Sequence, residues 1–494
     1  MRLSPTILAE RVLPSRLFAL AEPILQKADL AMTGTDERAR TQQVALKTFA
    51  IRIIGAVLAY ATQVILARWL GKFDYGIFVV VWTWMLILTA VTALGFSTSV
   101  LRFIPEYEAK KQFDLLRGVL TTSRALTLLF STAFAVIGCL GIYLFEGLVT
   151  DYYVMPIYLI AICLPMFTLF EVQDGIARSQ NWTDLSIAPN YIWRPVLMLI
   201  ALLGAGWIGL DLTAETACYA AIIATYVTTI LQYLGLRRRL PAVVPPGPKR
   251  NDTLHWIKIS LPIFMVEGFF VLLTGSDIVI VSQFLPPEDV AVYFAAVKTL
   301  AIIHFVYFAV KAASSHRFSK LYYSDDREAF ANSVRDSVMW TFWPSLFVAI
   351  MLLIAGESLL ALFGDTFETG YPLLFILVIG ILARASAGPV EMLLNMSGRQ
   401  KICAIVYGTT FLLNIALNLA LIPHYHLYGA ATATTLALIF ETLVLVTVVK
   451  QQLGISLFFA LRGSQAQQST PARPTSAKQT PAAQTPAALG AKSS

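Results

Sequence analysis

Residues 44–103 read VALKTFAIRIIGAVLAYATQVILARWLGKFDYGIFVVVWTWMLILTAVTALGFSTSVLRF, two long apolar blocks separated by a short polar turn at residues 68–75. Each block reaches the roughly 20 residues that an α-helix needs to cross the hydrocarbon core of a bilayer. Two such blocks joined by so short a turn predict a pair of helices that cross a membrane in opposite directions.

The same pattern fills most of the chain. The 494 residues are 57% hydrophobic and only 14% charged, and the mean hydropathy is +0.68, whereas soluble domains hold about 45–50% apolar and about 25% charged residues. This composition excludes a solvated multidomain enzyme and predicts an all-α polytopic membrane protein. We expect about twelve transmembrane helices, at residues 44–67, 76–101, 118–144, 153–177, 185–207, 214–236, 256–285, 290–313, 337–355, 370–394, 401–423 and 428–450.

The distribution of Lys and Arg predicts the orientation. With the N-terminus inside, the cytoplasmic segments and the span ends that border them hold 28 of the 37 cations. The opposite side holds two, Arg68 and Lys72, and seven lie deeper within predicted spans. Cytoplasmic loops of membrane proteins carry such an excess. We therefore predict that both termini lie in the cytoplasm. The excess of positive charge is accounted for by topology, so no nucleic-acid partner is predicted.

An internal repeat predicts how the spans are grouped. Residues 45–110 align without gaps on 260–325, and the pair Arg102-Phe103 falls on Arg317-Phe318. Six spans separate the copies, which predicts two pseudo-symmetric six-helix bundles related by an axis along the membrane normal. The predicted organisation is a cytoplasmic amphipathic N-terminal segment (1–43), an N-terminal six-helix lobe (44–236), a basic cytoplasmic linker (237–255), a C-terminal six-helix lobe (256–450) and a cytoplasmic, largely disordered tail (451–494).

Ionisable residues inside the spans are the candidate site. A charge at the centre of a membrane helix costs about 2.5–3.5 kcal/mol on insertion scales, so such residues usually face a cavity or a partner. Arginine binds phosphate oxygens in a planar, bidentate fork. We interpret the cations as the lining of a lumen that binds an anionic substrate, and the acidic residues as coupling or gating candidates. The substrate-binding candidates are Arg52, Arg194, Lys298 and Arg384, and the coupling candidates are Glu267, Asp277 and Glu391.

Other interpretations of these residues stay open at this stage. Arg52 shares its helix face with small residues and could snorkel toward the cytoplasm. Arg384 could pair with Glu391, two turns further along its helix. In the repeat, Arg52 falls on Glu267, so these two could instead pair across a central cavity. Arg124 and Lys311 lie near cytoplasmic ends, where we expect them to snorkel.

The fifth span carries Asn190 and Arg194 between two prolines, Pro189 and Pro195. Proline lacks the N–H that continues a helical ladder. We therefore expect this helix to be irregular.

Several motifs resemble those of Wzx-type polysaccharide-export flippases, which belong to the multidrug/oligosaccharidyl-lipid/polysaccharide exporter superfamily. They are LARWLGKFDYG at 66–76, GFSTSVLRFIPEY at 95–107, ISLPIF at 259–264, NLALIP at 418–423 and YGAATAT at 428–434. The resemblance covers about residues 44–450. It implies a multi-pass flippase of the bacterial inner membrane. Such a flippase moves undecaprenyl-pyrophosphate-linked oligosaccharide repeat units from the cytoplasmic to the periplasmic leaflet by alternating access, for exopolysaccharide or O-antigen biosynthesis.

Two other functions remain as alternatives: a cation-coupled multidrug exporter of the same superfamily, and a membrane polysaccharide polymerase or ligase. The sequence contains no G-x-x-x-x-G-K-[ST], H-E-x-x-H or G-x-S-x-G motif, so we do not predict an enzyme. No cofactor and no metal are predicted. The expected partners are a lipid-linked oligosaccharide pyrophosphate and membrane lipids, together with a polysaccharide polymerase and a chain-length regulator.

Overall fold

The computed structural model describes residues 37–454 apart from 146, 148, 323–325 and 397–398. Within these ranges the regular structure is helical and contains no strand. The α-helices are α1 (Glu37–Thr92), α2 (Phe96–Ala109), α3 (Phe113–Leu144), α4 (Asp151–Ser179), α5 (Thr183–Ala188), α6 (Arg194–Trp207), α7 (Ala214–Val243), α8 (Thr253–Phe284), α9 (Pro287–Leu300), α10 (His304–Tyr322), α11 (Arg327–Ala361), α12 (Tyr371–Ala387), α13 (Val390–Met396) and α14 (Gln400–Leu453).

Ten helical segments of the described chain are long and apolar enough to cross a membrane. Two of them, at Ile54–Ala109 and Lys401–Leu453, have 56 and 53 residues, more than twice the length that one crossing requires. Each contains a residue with non-helical backbone angles, Gly71 (φ 77°) in the first and His426 (φ 49°) in the second. A change of direction at these residues gives the twelve crossings that the sequence predicts, and the all-α polytopic fold is confirmed.

The buried core links the two halves of the chain. The largest cluster of buried apolar side chains contains Tyr75 and Phe167 from the N-terminal half and Tyr293 and Phe363 from the C-terminal half. A second cluster lies entirely between helices of the C-terminal half. The aligned residues Phe103 and Phe318 are both 1% exposed, so the repeat places the same aromatic side chain in the interior of each half.

At one end of the bundle, here called the Arg68 end, the turn within α1 contacts the segment that follows α11. The Arg68 side chain donates hydrogen bonds from Nε to the Leu362 carbonyl (2.5 Å) and from Nη2 to the Ala361 carbonyl (3.0 Å). Lys72 Nζ donates to the Thr366 carbonyl at 3.2 Å. The last carbonyls of a helix have no partner within the helix. The only two cations that the sequence places on the non-cytoplasmic side therefore join the halves there.

At the opposite end, here called the Trp256 end, the start of α8 packs against α2. The buried Trp256 indole donates from Nε1 to the Tyr107 hydroxyl at 2.8 Å, and Ser260 Oγ donates to Ser99 Oγ at 2.7 Å. The chain between α7 and α8 is held by Arg117, whose Nη1 and Nε donate to the Pro245 and Pro248 carbonyls at 2.6 and 2.8 Å. Because α7 continues to Val243, the first part of the predicted linker is helical.

Candidate functional site

Arg194 lies in the interior of the N-terminal half. A π-helical turn at Pro189–Trp193 precedes it, which confirms the irregularity predicted from the two prolines; Pro195 has no N–H for the carbonyl four residues earlier. The Arg194 guanidinium carbon lies 4.6 Å from the centre of the Phe167 ring, and its Nη2 donates to Asn190 Oδ1 at 2.6 Å. Trp82 and Phe170 are further ring neighbours, each at 5.6 Å.

These neighbours leave Arg194 half-buried. Its Nη1 is buried and has no hydrogen-bond partner among the described residues. A guanidinium held between aromatic faces gains cation–π attraction, and its buried Nη1 is not directly accessible to a ligand.

Arg384 lies near the end of α12 in the C-terminal half and has a different environment. Its nearest carboxylate is Glu441 of α14, with 3.4 Å between Nη2 and Oε1. The Arg384 side chain is 15% exposed, whereas that of Glu441 is 1% exposed. The guanidinium lies against the rings of Phe270 and Tyr307, at 5.9 and 5.7 Å.

Glu391 is not the ion-pair partner of Arg384. It pairs with Lys311, with 3.0 Å between Nζ and Oε2 and with side-chain exposures of 22% for Lys311 and 17% for Glu391. The proposed Arg384–Glu391 pair is therefore wrong, because other carboxylate and ammonium groups from α14 and α10 lie closer to each member. Lys311, for which snorkelling was expected, thus has a carboxylate partner within the protein.

Arg124, the other residue expected to snorkel, also has a neighbour within the protein. Its guanidinium carbon lies 5.7 Å from the centre of the Tyr233 ring, and its Nε and Nη2 are buried. The side chain packs on α7 because the neighbouring helix offers an aromatic face at that depth.

Lys298 and Asp277 lie within the C-terminal half, on α9 and α8. The Lys298 ammonium is 4.8 Å from the centre of the Phe294 ring. The Asp277 carboxylate accepts hydrogen bonds from the Tyr293 hydroxyl (3.0 Å) and the Thr434 hydroxyl (3.4 Å). These hydroxyls connect α8 with α9 and α14, so Asp277 is 5% exposed yet satisfied.

Glu267 lies on α8 toward the Trp256 end, and it accepts a hydrogen bond from the Thr98 hydroxyl of α2. Arg52 belongs to α1, but its side chain lies outside the described residues, so the Arg52–Glu267 pair stays a prediction. The contacts of Arg194 come from the N-terminal half, and those of Lys298 and Arg384 come from the C-terminal half. The candidate cations are thus distributed between the two halves.

Glu441 is the residue that sequence reasoning missed. A single acidic residue stands within the apolar run LALIFETLVLV at 436–446, and that isolation was the available signal. Its importance becomes apparent only in three dimensions, because its partner Arg384 is 57 positions away in the chain.

Comparison with protein families gives two matches. The family described as "Polysaccharide biosynthesis protein" matches residues 44–321, which is more than half of the chain. The family described as "MatE" matches residues 262–420.

Relatives and solved structures agree with this assignment. A Shigella flexneri protein named "Putative O-antigen transporter" is 24% identical over 429 residues, which cover 79% of this chain and 93% of that protein. A multidrug resistance MATE family transporter of the MOP superfamily, solved in an inward-facing conformation, has a TM-score of 0.64 at 13% identity and covers 86% of this chain and 96% of its own. A MOP superfamily transporter from Pyrococcus furiosus has a TM-score of 0.61 at 14% identity, with 83% and 95% covered. At such identities these structures establish the fold alone.

Proposed function

The chain belongs to the polysaccharide biosynthesis protein family and is a multi-pass membrane transporter, and on this premise we propose that it is a flippase for lipid-linked oligosaccharide pyrophosphates. It moves the undecaprenyl-pyrophosphate-linked repeat unit from the cytoplasmic to the periplasmic leaflet of a bacterial inner membrane. Both termini lie in the cytoplasm, and the two halves alternate in which end is open.

One observation supports this substrate class above all. Arg384 is held inside an apolar half with a carboxylate on one side and with part of its own side chain still exposed. A pyrophosphate must pass a region of low dielectric, where an arginine that stays charged and binds oxygens bidentately stabilises it most. Arg194 and Lys298 place further positive charge in the interior of the spans.

The test is removal of the protein from its own cell. Loss of the protein should stop export of the surface or secreted polysaccharide, while radiolabelled lipid-linked repeat units accumulate in the cytoplasmic leaflet. Arg384→Ala should reproduce the defect at normal membrane levels of the protein, and Arg384→Lys should restore export only partly because lysine lacks the fork. Lys110→Ala is the matched control, since Lys110 is 56% exposed and pairs with Glu106 of its own helix. Repeat units that reach the periplasmic leaflet at normal rates without the protein would refute the flippase function.

A second candidate is favoured by the MatE match at residues 262–420, namely export of cationic drugs. Such an exporter should protect cells against organic cations. Unchanged drug susceptibility of the deletion strain, together with lost polysaccharide export, decides for the flippase.

A further inference from the structure

Glu441 is a buried acidic residue of the C-terminal half that lies beside a small cavity. This cavity has a volume of about 10 Å³, and Tyr307, Arg384, Glu391, Tyr407 and Glu441 are among the residues that line it. It has room for about one water molecule, so a larger anion reaches it only when the lining helices move apart. Neither carboxylate oxygen of Glu441 has a hydrogen-bond donor among the described residues, although both are buried. A carboxylate in such a position would ordinarily accept several hydrogen bonds.

The partner of this carboxylate is loosely attached. At 3.4 Å, Nη2 of Arg384 and Oε1 of Glu441 are separated by more than the roughly 2.7–2.9 Å of a charge-assisted hydrogen bond. The structure shows no hydrogen bond from the Arg384 guanidinium to any acceptor in the described chain. Phe270 and Tyr307 contact it through their rings, which offer no oxygen in the plane of the fork. The N–H groups of Arg384 are therefore available to the oxygens of an anion.

The order of the two groups also matters. Arg384 keeps 15% of its side-chain surface exposed, and Glu441 keeps 1%. Because Arg384 is the more exposed of the two, an anion that approaches the pair would meet the cation first. At Arg194, by contrast, Nη1 is buried and Nη2 already donates to Asn190, so fewer of its N–H groups are free for a ligand.

We infer that Glu441 is an internal competitor for the pyrophosphate group of the substrate at Arg384. In the empty protein Glu441 neutralises the arginine, and in the loaded protein pyrophosphate oxygens occupy the fork while the Arg384–Glu441 contact is given up. This inference rests on the proposed function and specifies one of its contact residues. It makes substrate binding a differential interaction between two arrangements of α12 and α14, as a transport cycle requires.

The test compares pyrophosphate binding by the purified full-length protein and by Glu441→Gln. Inorganic pyrophosphate and farnesyl pyrophosphate are the probes, and affinity is measured by calorimetry and by the rise in Tm on addition of ligand. Removal of the competing charge, about 7 Å or less from the bound oxygens, should tighten both ligands about tenfold or more. Arg384→Gln should lose binding of both. Thr442→Val, which changes a neighbouring cavity residue without changing charge, is the matched control.

Glu391→Gln tests whether the gain in affinity comes from Glu441 itself or from the loss of any negative charge near the site. It removes the same charge from the same cavity, but from the Lys311 pair, so its gain in affinity should be several-fold smaller than that of Glu441→Gln. Equal gains overturn the inference, as does Glu441→Gln binding no tighter than the unaltered protein.

If Glu441→Gln does not fold, the charge reversal Arg384→Glu/Glu441→Arg decides the question. It keeps an ion pair but places the arginine at the 1% exposed position, so pyrophosphate binding should be lost. Unchanged binding by the reversed pair overturns the inference. These outcomes can be told apart from those that test the proposed function. If the deletion strain loses export but Glu441→Gln binds pyrophosphate with unchanged affinity, the competition alone is refuted. Normal export in the deletion strain refutes the flippase alone.

Discussion

Replacement of Arg68 by alanine should open the Arg68 end of the bundle. The side chain donates two hydrogen bonds, at 2.5 and 3.0 Å, to the carbonyls of Leu362 and Ala361 at the end of α11, where the helix dipole also favours a cation. Two charge-assisted bonds would contribute about 1.5–3 kcal/mol each when protected. Because Arg68 is exposed, we expect the two hydrogen bonds together to stabilise the closed Arg68 end by about 1–2 kcal/mol. That loss shifts the population about 5- to 30-fold toward states in which the halves are apart at this end.

The shift is measurable as a distance. Nitroxide labels at the exposed residues Asp211 and Asp365, one in each half, should give a broader and longer distance distribution by double electron–electron resonance in Arg68→Ala. Lys110→Ala is the control, since it removes an exposed cation that pairs only within its own helix. An unchanged distribution in Arg68→Ala, or an equal change in the control, would show that these hydrogen bonds do not hold the halves together.

Three further outcomes are expected. Arg194→Met keeps the side-chain volume, so Tm should change by no more than about 4 °C while polysaccharide export is lost; normal export would assign Arg194 to packing alone. Gly118→Ala should lower stability by about 1–3 kcal/mol, because its Cβ would lie 1.9 Å from the Arg250 carbonyl oxygen; Gly138→Ala on the same helix meets no atom within 4 Å, and equal thermal unfolding of both variants would contradict the argument. Alkaline-phosphatase fusions after Leu210 and Asp365 should be active and those after Lys111 and Arg250 inactive, and the reverse pattern would overturn the topology.

The fold could be predicted from the sequence because a bilayer allows few kinds of secondary structure to cross it. Apolar blocks of bilayer length must become helices, since every backbone polar group in hydrocarbon needs a partner within its own segment. The irregular turn before Arg194 was predictable for an equally local reason, the two prolines on either side. Positions of charged residues inside apolar runs likewise identified Arg194, Lys298 and Arg384 as candidates for the interior, where each is half-buried.

The partners of those charges could not be read from the sequence. Helical spacing suggested Glu391 for Arg384, because residues on one helix face are the only neighbours that a linear pattern reveals. The carboxylate that lies within 4 Å belongs instead to α14, and Glu391 pairs with Lys311 of α10. Lys311 and Arg124 were expected to reach toward water for the same reason, since the groups that hold them belong to other helices.

The sequence by itself thus determined that the chain crosses a membrane about twelve times and carries charge inside it, because length, hydropathy and proline act within one segment. Only the tertiary structure decided which charges are accessible, which are enclosed and which carboxylate opposes each cation. Those properties depend on how helices from distant parts of the chain pack. Glu441 and Arg384 are neighbours because α12 packs on α14, and no local pattern encodes that contact.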